Sequence, residues 1–287
     1  MDSLQVVFPT SEKALLQELG AGSVILNGGT DLLVKRRLGK LPATKLISLQ
    51  NLKGFDAIEE EPEGFRLLAG VTHSHLLGSH AIAQHFPLLR QAANEVGSVQ
   101  IRNRGTPVGN VVNASPAGDV VLALVLLDAQ LEIHASDGSF RNQTVEDFIV
   151  GPGKTSLDVS REWIHSIWLP KPPKRFRSWF KKVGQRKAMA ISIASIGMLL
   201  AAEEDHEPGK PLVIEEIRLA AGSVAPVVVR FHQLEGQLAG SHCDAATLEK
   251  VRTSIAEKIS PIGDVRSTAR YRRQVTQNLV TEIWDSL

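Results

Sequence analysis

Two glycine-bearing stretches hold the residues best suited to chemistry. The first is Asn27-Gly28-Gly29-Thr30-Asp31. Adjacent glycines reach positive φ and let a backbone come close to a ligand. A run of amides in such a turn makes a concavity suited to a diphosphate, and Thr30 adds a hydroxyl donor. Asp31 serves equally as a helix cap, and on residues alone a plain turn and a phosphate cradle stand level. The spacing G-x-G-x-x-G is not met, which argues against a nicotinamide dinucleotide fingerprint. The second stretch runs from Thr106-Pro107-Val108-Gly109-Asn110 into Asn113-Ala114-Ser115-Pro116-Ala117-Gly118-Asp119. Asn110 and Ser115 can donate to phosphate oxygens, and Asp119 can accept from ribose hydroxyls or an adenine amine. Taken in isolation, these residues also suit an ordinary loop with Asx turns.

These loops need elements to hold them. Leu15, Leu16 and Leu19 share one helical face over 10–19, with Thr10 or Ser11 as cap. Gly20 and Gly22 stop that helix, and Val24-Ile25-Leu26 forms a short buried strand leading into the first loop. Residues 32–38 read as helix, so the loop amides face the positive end of a helix. Strands follow over 45–49 and 65–71, separated by a turn-rich acidic passage at 59–64. Thr72 caps a helix containing Leu76 and Leu77, and Leu88, Leu89, Ala92, Ala93 and Val96 mark another, ending near Gly97. The unbroken apolar run 120–127 reads as a buried helix after Pro116. Strands are expected over 131–135 and 163–169. Pro170, Pro172 and Pro173 set a boundary, beyond which the sequence predicts a helix over 188–200 and strands over 212–220 and 224–231. Two amphipathic helices end the chain, marked by Leu248, Val251, Ile255 and Ile259, and by Tyr271, Val275, Leu279 and Ile283. Strands and helices without a regular βαβ alternation point to an α+β fold.

Composition narrows the function. The 287 residues suffice for two packed units. The 43% hydrophobic and 22% charged content is that of a soluble globular protein. Thirty-two basic residues against 31 acidic ones leave no charge excess to attract nucleic acid. Cys243, the sole cysteine, can form neither an internal disulfide nor an iron–sulfur site, and it fits a reducing cytoplasm. Met1-Asp2-Ser3-Leu4 lacks the basic and apolar regions of a signal peptide. The apolar stretch 188–202, interrupted by Ser192, Ser195 and Gly197, falls short of the roughly 20 residues of a membrane span.

Several other signals are bland. His73, His75, His80 and His85 lack acidic or cysteine partners at ligand spacing, so no metal site is expected. Ser115 and Ser192 lack a nucleophile elbow. Glu59 to Glu63 read as solvated, Arg272 and Arg273 as anchors of the last helix or of an interface, and Trp179 as core ahead of a subunit contact. No residue set forms a catalytic acid–base pair.

The motifs in order resemble a known family. Ile101-Arg102-Asn103-Arg104-Gly105-Thr106, Gly109-Asn110 and Asn113 to Asp119 are similar to the signature of FAD-binding medium subunits of the xanthine dehydrogenase and carbon monoxide dehydrogenase (molybdenum hydroxylase) family. That family also carries the Gly-Gly-Thr-Asp-Leu loop matched by Gly28 to Leu32. Its Lys-Val-Gly-x-Arg-Lys-Ala-Met-Ala-Ile-Ser segment is matched by Lys182 to Ser192, and a late Ser-x-x-x-Tyr-Arg-Arg string by Ser267, Tyr271, Arg272 and Arg273. The resemblance runs essentially end to end.

It implies a two-lobed α+β FAD-binding domain of the PCMH type over 1–172, with lobes of about 1–56 and 57–172. A smaller C-terminal α+β flavoprotein domain over 173–287 would close on the flavin. Carried over, Asn27, Gly28, Gly29, Thr30, Asp31 and Leu32 would hold the diphosphate from one lobe. Thr106, Gly109, Asn110, Asn113 and Ser115 would do so from the other. Asp119 would meet the ribose or adenine, and Lys182 and Ile191 the isoalloxazine ring, with Lys181 as the alternative in a shifted alignment. The implied role is electron transfer from the [2Fe–2S] centres of a small partner subunit to NAD or another acceptor. Molybdopterin would reside on a large partner subunit that selects the substrate. A standalone FAD-dependent oxidoreductase and an FAD-free scaffold are the rival readings. One departure stands out: the family's Thr-Ile-Gly-Gly-Asn is here Thr106-Pro107-Val108-Gly109-Asn110. A β-branched Val108 resists positive φ and Pro107 lacks a donor, so weaker FAD retention is expected.

Overall fold

The strand Val24–Leu26 foretold by its apolar run lies in a small parallel sheet at the start of the chain. The computed structural model describes residues 4–172, 176–186, 189–202 and 212–287. Met1, Pro173 and Ala188, to which the signal-peptide, boundary and helix readings refer, lie outside them. The first lobe runs β1 (Gln5–Val7), α1 (Glu12–Glu18), β2 (Ser23–Leu26), α2 (Leu32–Arg37) and β3 (Lys45–Ser48), with parallel order β1-β3-β2. Ser11 caps α1, its hydroxyl accepting from the Ala14 amide at 3.2 Å, and Leu15 is fully buried beneath it.

The second lobe begins with the hairpin β4 (Ile58–Glu61) and β5 (Gly64–Leu68), so the acidic passage expected as turn is largely strand. The helices α3 (His73–Gly78), α4 (His80–His85), α5 (Pro87–Asn94), α6 (Val99–Arg102), α7 (Pro107–Asn113) and α8 (Asp119–Leu126) follow. The strands β6 (Gln130–Ala135) and β7 (Phe140–Thr144), the turn of helix α9 (Val145–Phe148), the short pair β8 (Ile149–Gly151) and β9 (Lys154–Thr155), and β10 (Glu162–Pro170) complete it. Its antiparallel sheet has the order β4-β5-β10-β6-β7. Phe65, Leu67, Leu131, Ile133, Ile167 and Leu169 turn one face of that sheet into the core shared with α5 and α8.

The expected helix over 188–200 is not present. Instead β11 (Arg177–Gly184) and β12 (Ser192–Ala202) pair antiparallel, and β13 (Ile214–Gly222) and β14 (Val229–Arg230) extend the sheet in the order β11-β12-β13-β14. The helices α10 (His232–Leu238), α11 (Ala245–Lys258) and α12 (Ala269–Trp284) then cover one face. Ala194, Ile196, Met198 and Leu200 point toward these helices in a second core, while Leu199 points into the first. A strand covered on both faces is apolar at every position, which hides its period of two.

Helix α8 packs against the opposite face. All eight of its residues are buried. A Cβ on Gly197 would lie 2.4 Å from Leu122 Cδ2 and 2.6 Å from Leu126 Cδ1, so both leucine tips would have to shift to admit one. Arg218 and Arg230 donate to the carbonyls of Leu126 and Val125, each at 3.1 Å, and both pair with Asp128. Arginines of the C-terminal sheet thus satisfy carbonyls that the end of α8 leaves open.

Candidate functional site

The two glycine turns meet backbone to backbone. A Cβ on Gly28 would lie 2.0 Å from the Arg104 carbonyl oxygen and 3.0 Å from Gly105 Cα. The bare edge of Gly28 is therefore spent on the opposing loop. Gly29 sits at φ +75, a conformation glycine adopts without penalty. Side chains reinforce the contact: Asn27 Nδ2 donates to the Ala69 carbonyl at 2.6 Å, and Lys35 Nζ donates to Asn113 Oδ1 at 2.7 Å. The His73 amide donates to the Gly105 carbonyl at 2.9 Å, fixing the second loop to the start of α3.

Between the turns lies a cavity of about 180 Å³. Asn27, Gly28, Gly29, Thr30, Asp31, Leu32, Thr106, Gly109, Asn110 and Asn113 all line it. Its apolar walls include Ile25, Val96, Ile101 and Trp163. Among the described residues, the amides of Gly28, Gly29 and Thr30 have no hydrogen-bond acceptor. Asn110 Oδ1 is buried and likewise unpartnered. Open donors at one apolar cleft fit a polyphosphate ligand with an attached ring system.

The positive φ expected to trouble Val108 does not occur. Thr106 is the N-cap of α7, its hydroxyl accepting from the Gly109 amide at 2.9 Å, and Pro107 opens the helix. Proline at that position gives up an N–H with no partner within the helix. Val108 is buried in the first turn, and positive φ is absent there; the left-handed residue is Ala114, at φ 47.

Four candidates lie off the cleft lining. The Ser115 hydroxyl accepts from the Ala117 amide at 3.2 Å, within its own turn. Asp119 is 7% exposed, and its carboxylate accepts from Lys182 Nζ at 2.7 Å and from the Ser192 hydroxyl at 2.7 Å. Lys182 also donates to the carbonyl of Glu95, the residue before the cleft wall Val96, at 2.8 Å. Burial pushes the Asp119 carboxyl above its ordinary range, outweighing the opposing Lys182 charge. Lys181 instead pairs with Glu282 at the surface. Ile191 is 60% exposed beside the β11–β12 connection. Arg272, expected as an anchor, is 2% exposed and donates to the carbonyls of Ile193 and Ser223 and to Asp264.

His73, passed over in the sequence as a helix-start residue, lines the cavity at 2% exposure with Nδ1 unpartnered. Burial, and then the charge of Arg102, lower its pKa from 6.5 to about 4. The folded chain thus keeps His73 neutral where the unfolded chain takes up a proton. Its contribution to stability is complete above pH 6.5 and is lost as pH falls toward 4. That loss approaches roughly 3 kcal/mol. Urea unfolding of wild type and His73→Gln across this window should show a flatter pH dependence in the variant; parallel curves would remove His73 as the cause.

Comparison with known proteins agrees with this geometry. The pattern of the FAD binding domain in molybdopterin dehydrogenase matches residues 2–172, and that of the CO dehydrogenase flavoprotein C-terminal domain matches 179–287. The nicotine 6-hydroxylase medium subunit of Paenarthrobacter nicotinovorans is 28% identical over 258 residues, covering 90% of this chain and 87% of that protein. The xanthine dehydrogenase FAD-binding subunit of Escherichia coli O157:H7 is 27% identical, covering 90% and 86%. In fold, the chain is similar to reconstituted CO dehydrogenase from Oligotropha carboxidovorans, with a TM-score of 0.88, 23% identity, and coverage of 98% of this chain and 96% of that one. Among the described residues no helix is long and apolar enough to cross a membrane. The chain belongs to the FAD-binding medium-subunit family of the molybdopterin dehydrogenases, the group of xanthine and carbon monoxide dehydrogenases.

Proposed function

We propose that this chain holds FAD in the cleft between its two glycine turns and serves as the electron-transfer subunit of a molybdenum hydroxylase complex. The observation that carries the reading is the set of amides at Gly28, Gly29 and Thr30, without acceptors among the described residues and lining one cleft with Thr106 and Asn110. The amides and the Thr30 hydroxyl would take the diphosphate from the first lobe, and Thr106, Gly109 and Asn110 from the second. When bound, FAD supplies the one- and two-electron chemistry that side chains lack. The protein binds, orients and shields. Ile25, Val96, Ile101 and Trp163 exclude water from the enclosed part of the cleft. The Asp119–Lys182–Ser192 network is assigned to holding the strand pair β11–β12 against α8, with Ile191 available to cover the ring.

The same reading places a 1–172 FAD-binding domain, with lobes of about 1–56 and 57–172, beside a 173–287 C-terminal domain. Iron–sulfur and molybdopterin partner subunits would supply electrons, NAD or another acceptor would receive them, and the setting would be cytoplasmic. The test is direct. Purified chain should be yellow or take up one equivalent of FAD on titration, whereas a folded sample that stays colourless in excess FAD would leave the scaffold reading standing. With the φ argument gone, Val108→Gly should bind FAD no more tightly than wild type, and should lose about 1 kcal/mol or more of stability by placing glycine in a buried helical turn.

A further inference from the structure

On the face of the second-lobe sheet turned toward α1, three side chains converge that the nucleotide cleft does not use. Glu12 on α1, His134 on β6 and His165 on β10 bring one ligand atom each within 4.8 Å of one another. Glu12 lies 122 residues before His134, so only the fold assembles the three. A bulge in β10 makes this possible. Ile164 pairs with Ile133 and Ser166 with Glu132, leaving His165 as the extra residue between them. Bulges re-aim a side chain out of strict alternation, and this one stacks the His165 ring on His134, with centroids 4.4 Å apart and planes at 15°.

The hydrogen bonds around His134 have the form of a metal ligand with its supporting carboxylate. Glu132 Oε1 lies 2.7 Å from His134 Nε2, while Nδ1 faces Glu12 Oε1 at 2.5 Å. An approach of 2.5 Å between Nδ1 and a carboxylate oxygen holds a proton, and a cation would take that proton's place with a small retreat of Glu12 while Glu132 keeps its hold on Nε2. Metal-bound histidines are oriented in this way. Arg66 occupies the other Glu132 oxygen, which keeps that carboxylate in its supporting role. His165 Nδ1 is shut off from water and makes no hydrogen bond, its nearest carboxylate being Glu132 Oε1 at 3.5 Å. A buried ring nitrogen left unpaired calls for an occupant.

We propose that Glu12, His134 and His165 form a site for a zinc-class divalent cation, which clamps the first lobe to the sheet of the second. Two imidazoles and one carboxylate are borderline ligands that suit zinc, cobalt or nickel better than magnesium or calcium. Side-chain exposures of 29%, 21% and 17% for the three ligands leave room for water to complete four-fold coordination. Trp163, a wall of the nucleotide cleft, lies edge-on to both rings, so the clamp sits directly behind that cleft.

The test is titration of zinc sulfate into chelator-stripped chain, followed by calorimetry and thermal unfolding. One saturable equivalent at micromolar zinc, with a rise in Tm of several degrees, is expected. Glu12→Gln, on a surface helix whose cap it does not supply, should weaken uptake at least tenfold while leaving circular dichroism unchanged. His134→Gln and His165→Gln should abolish it, and His80→Gln should not alter it. Uptake that survives all three ligand variants, or no saturable uptake by wild type, would overturn the site. Neither result depends on FAD, since zinc is measured directly.

Discussion

Asp119→Ala should destabilise the chain by about 3–5 kcal/mol, because it strands a buried ammonium. The side chains of Asp119 and Lys182 are each only 8% exposed, and their charged atoms lie 2.7 Å apart. Losing the carboxylate leaves Lys182 with the Glu95 and Ala190 carbonyls and a distant Glu95 carboxylate at 3.5 Å. The Ser192 hydroxyl loses its acceptor as well. Urea unfolding of single and double variants checks the assignment. Asp119→Leu combined with Lys182→Met removes both charges together and should recover much of the loss, since an apolar pair avoids the desolvation cost. If the double variant is as unstable as Asp119→Ala, the ion pair is not the cause.

Gly28→Ala is the second large effect expected. A methyl group there meets the Arg104 carbonyl oxygen at 2.0 Å, and neither backbone can swing aside as a flexible side chain would. Forcing the turns apart should cost about 1–3 kcal/mol, as in other overpacked sites, and should weaken FAD binding by at least tenfold by displacing the amides of Gly29 and Thr30. Gly20→Ala provides the control, because its Cβ would meet nothing within 4 Å and its φ is not positive. Equal FAD affinity in Gly28→Ala and wild type would show that the contact between the turns does not set the cleft.

What the sequence disclosed and what it withheld follow from the range of the interactions concerned. The strand–turn–helix around Gly28 and the caps at Ser11 and Thr72 depend on residues a few positions apart, and they stand in the structure as read. Residues 192–202 were misread because ten of the eleven are buried, which erases the alternation that would separate strand from helix. At Val108, a family glycine was taken to mean positive φ, whereas the position is the first turn of a helix that valine enters without strain. Lys182 was expected only through the resemblance, beside the isoalloxazine ring; its bond to Asp119 spans 63 positions and no spacing rule reports it. The same holds for Glu12, His134 and His165, which the histidine spacing alone gave no reason to group.

Helix α8 belongs to the first core, yet it packs against the C-terminal sheet. Its Leu122 and Leu126 seat against Gly197 in the C-terminal sheet, and its last carbonyls are satisfied by Arg218 and Arg230. The halves on either side of the proline-rich stretch are therefore not interchangeable modules. A fragment cut after residue 172 would carry a bared leucine ridge and open carbonyls, prone to self-association. Lineages that shuffle flavin domains between complexes would be obliged to move both halves together.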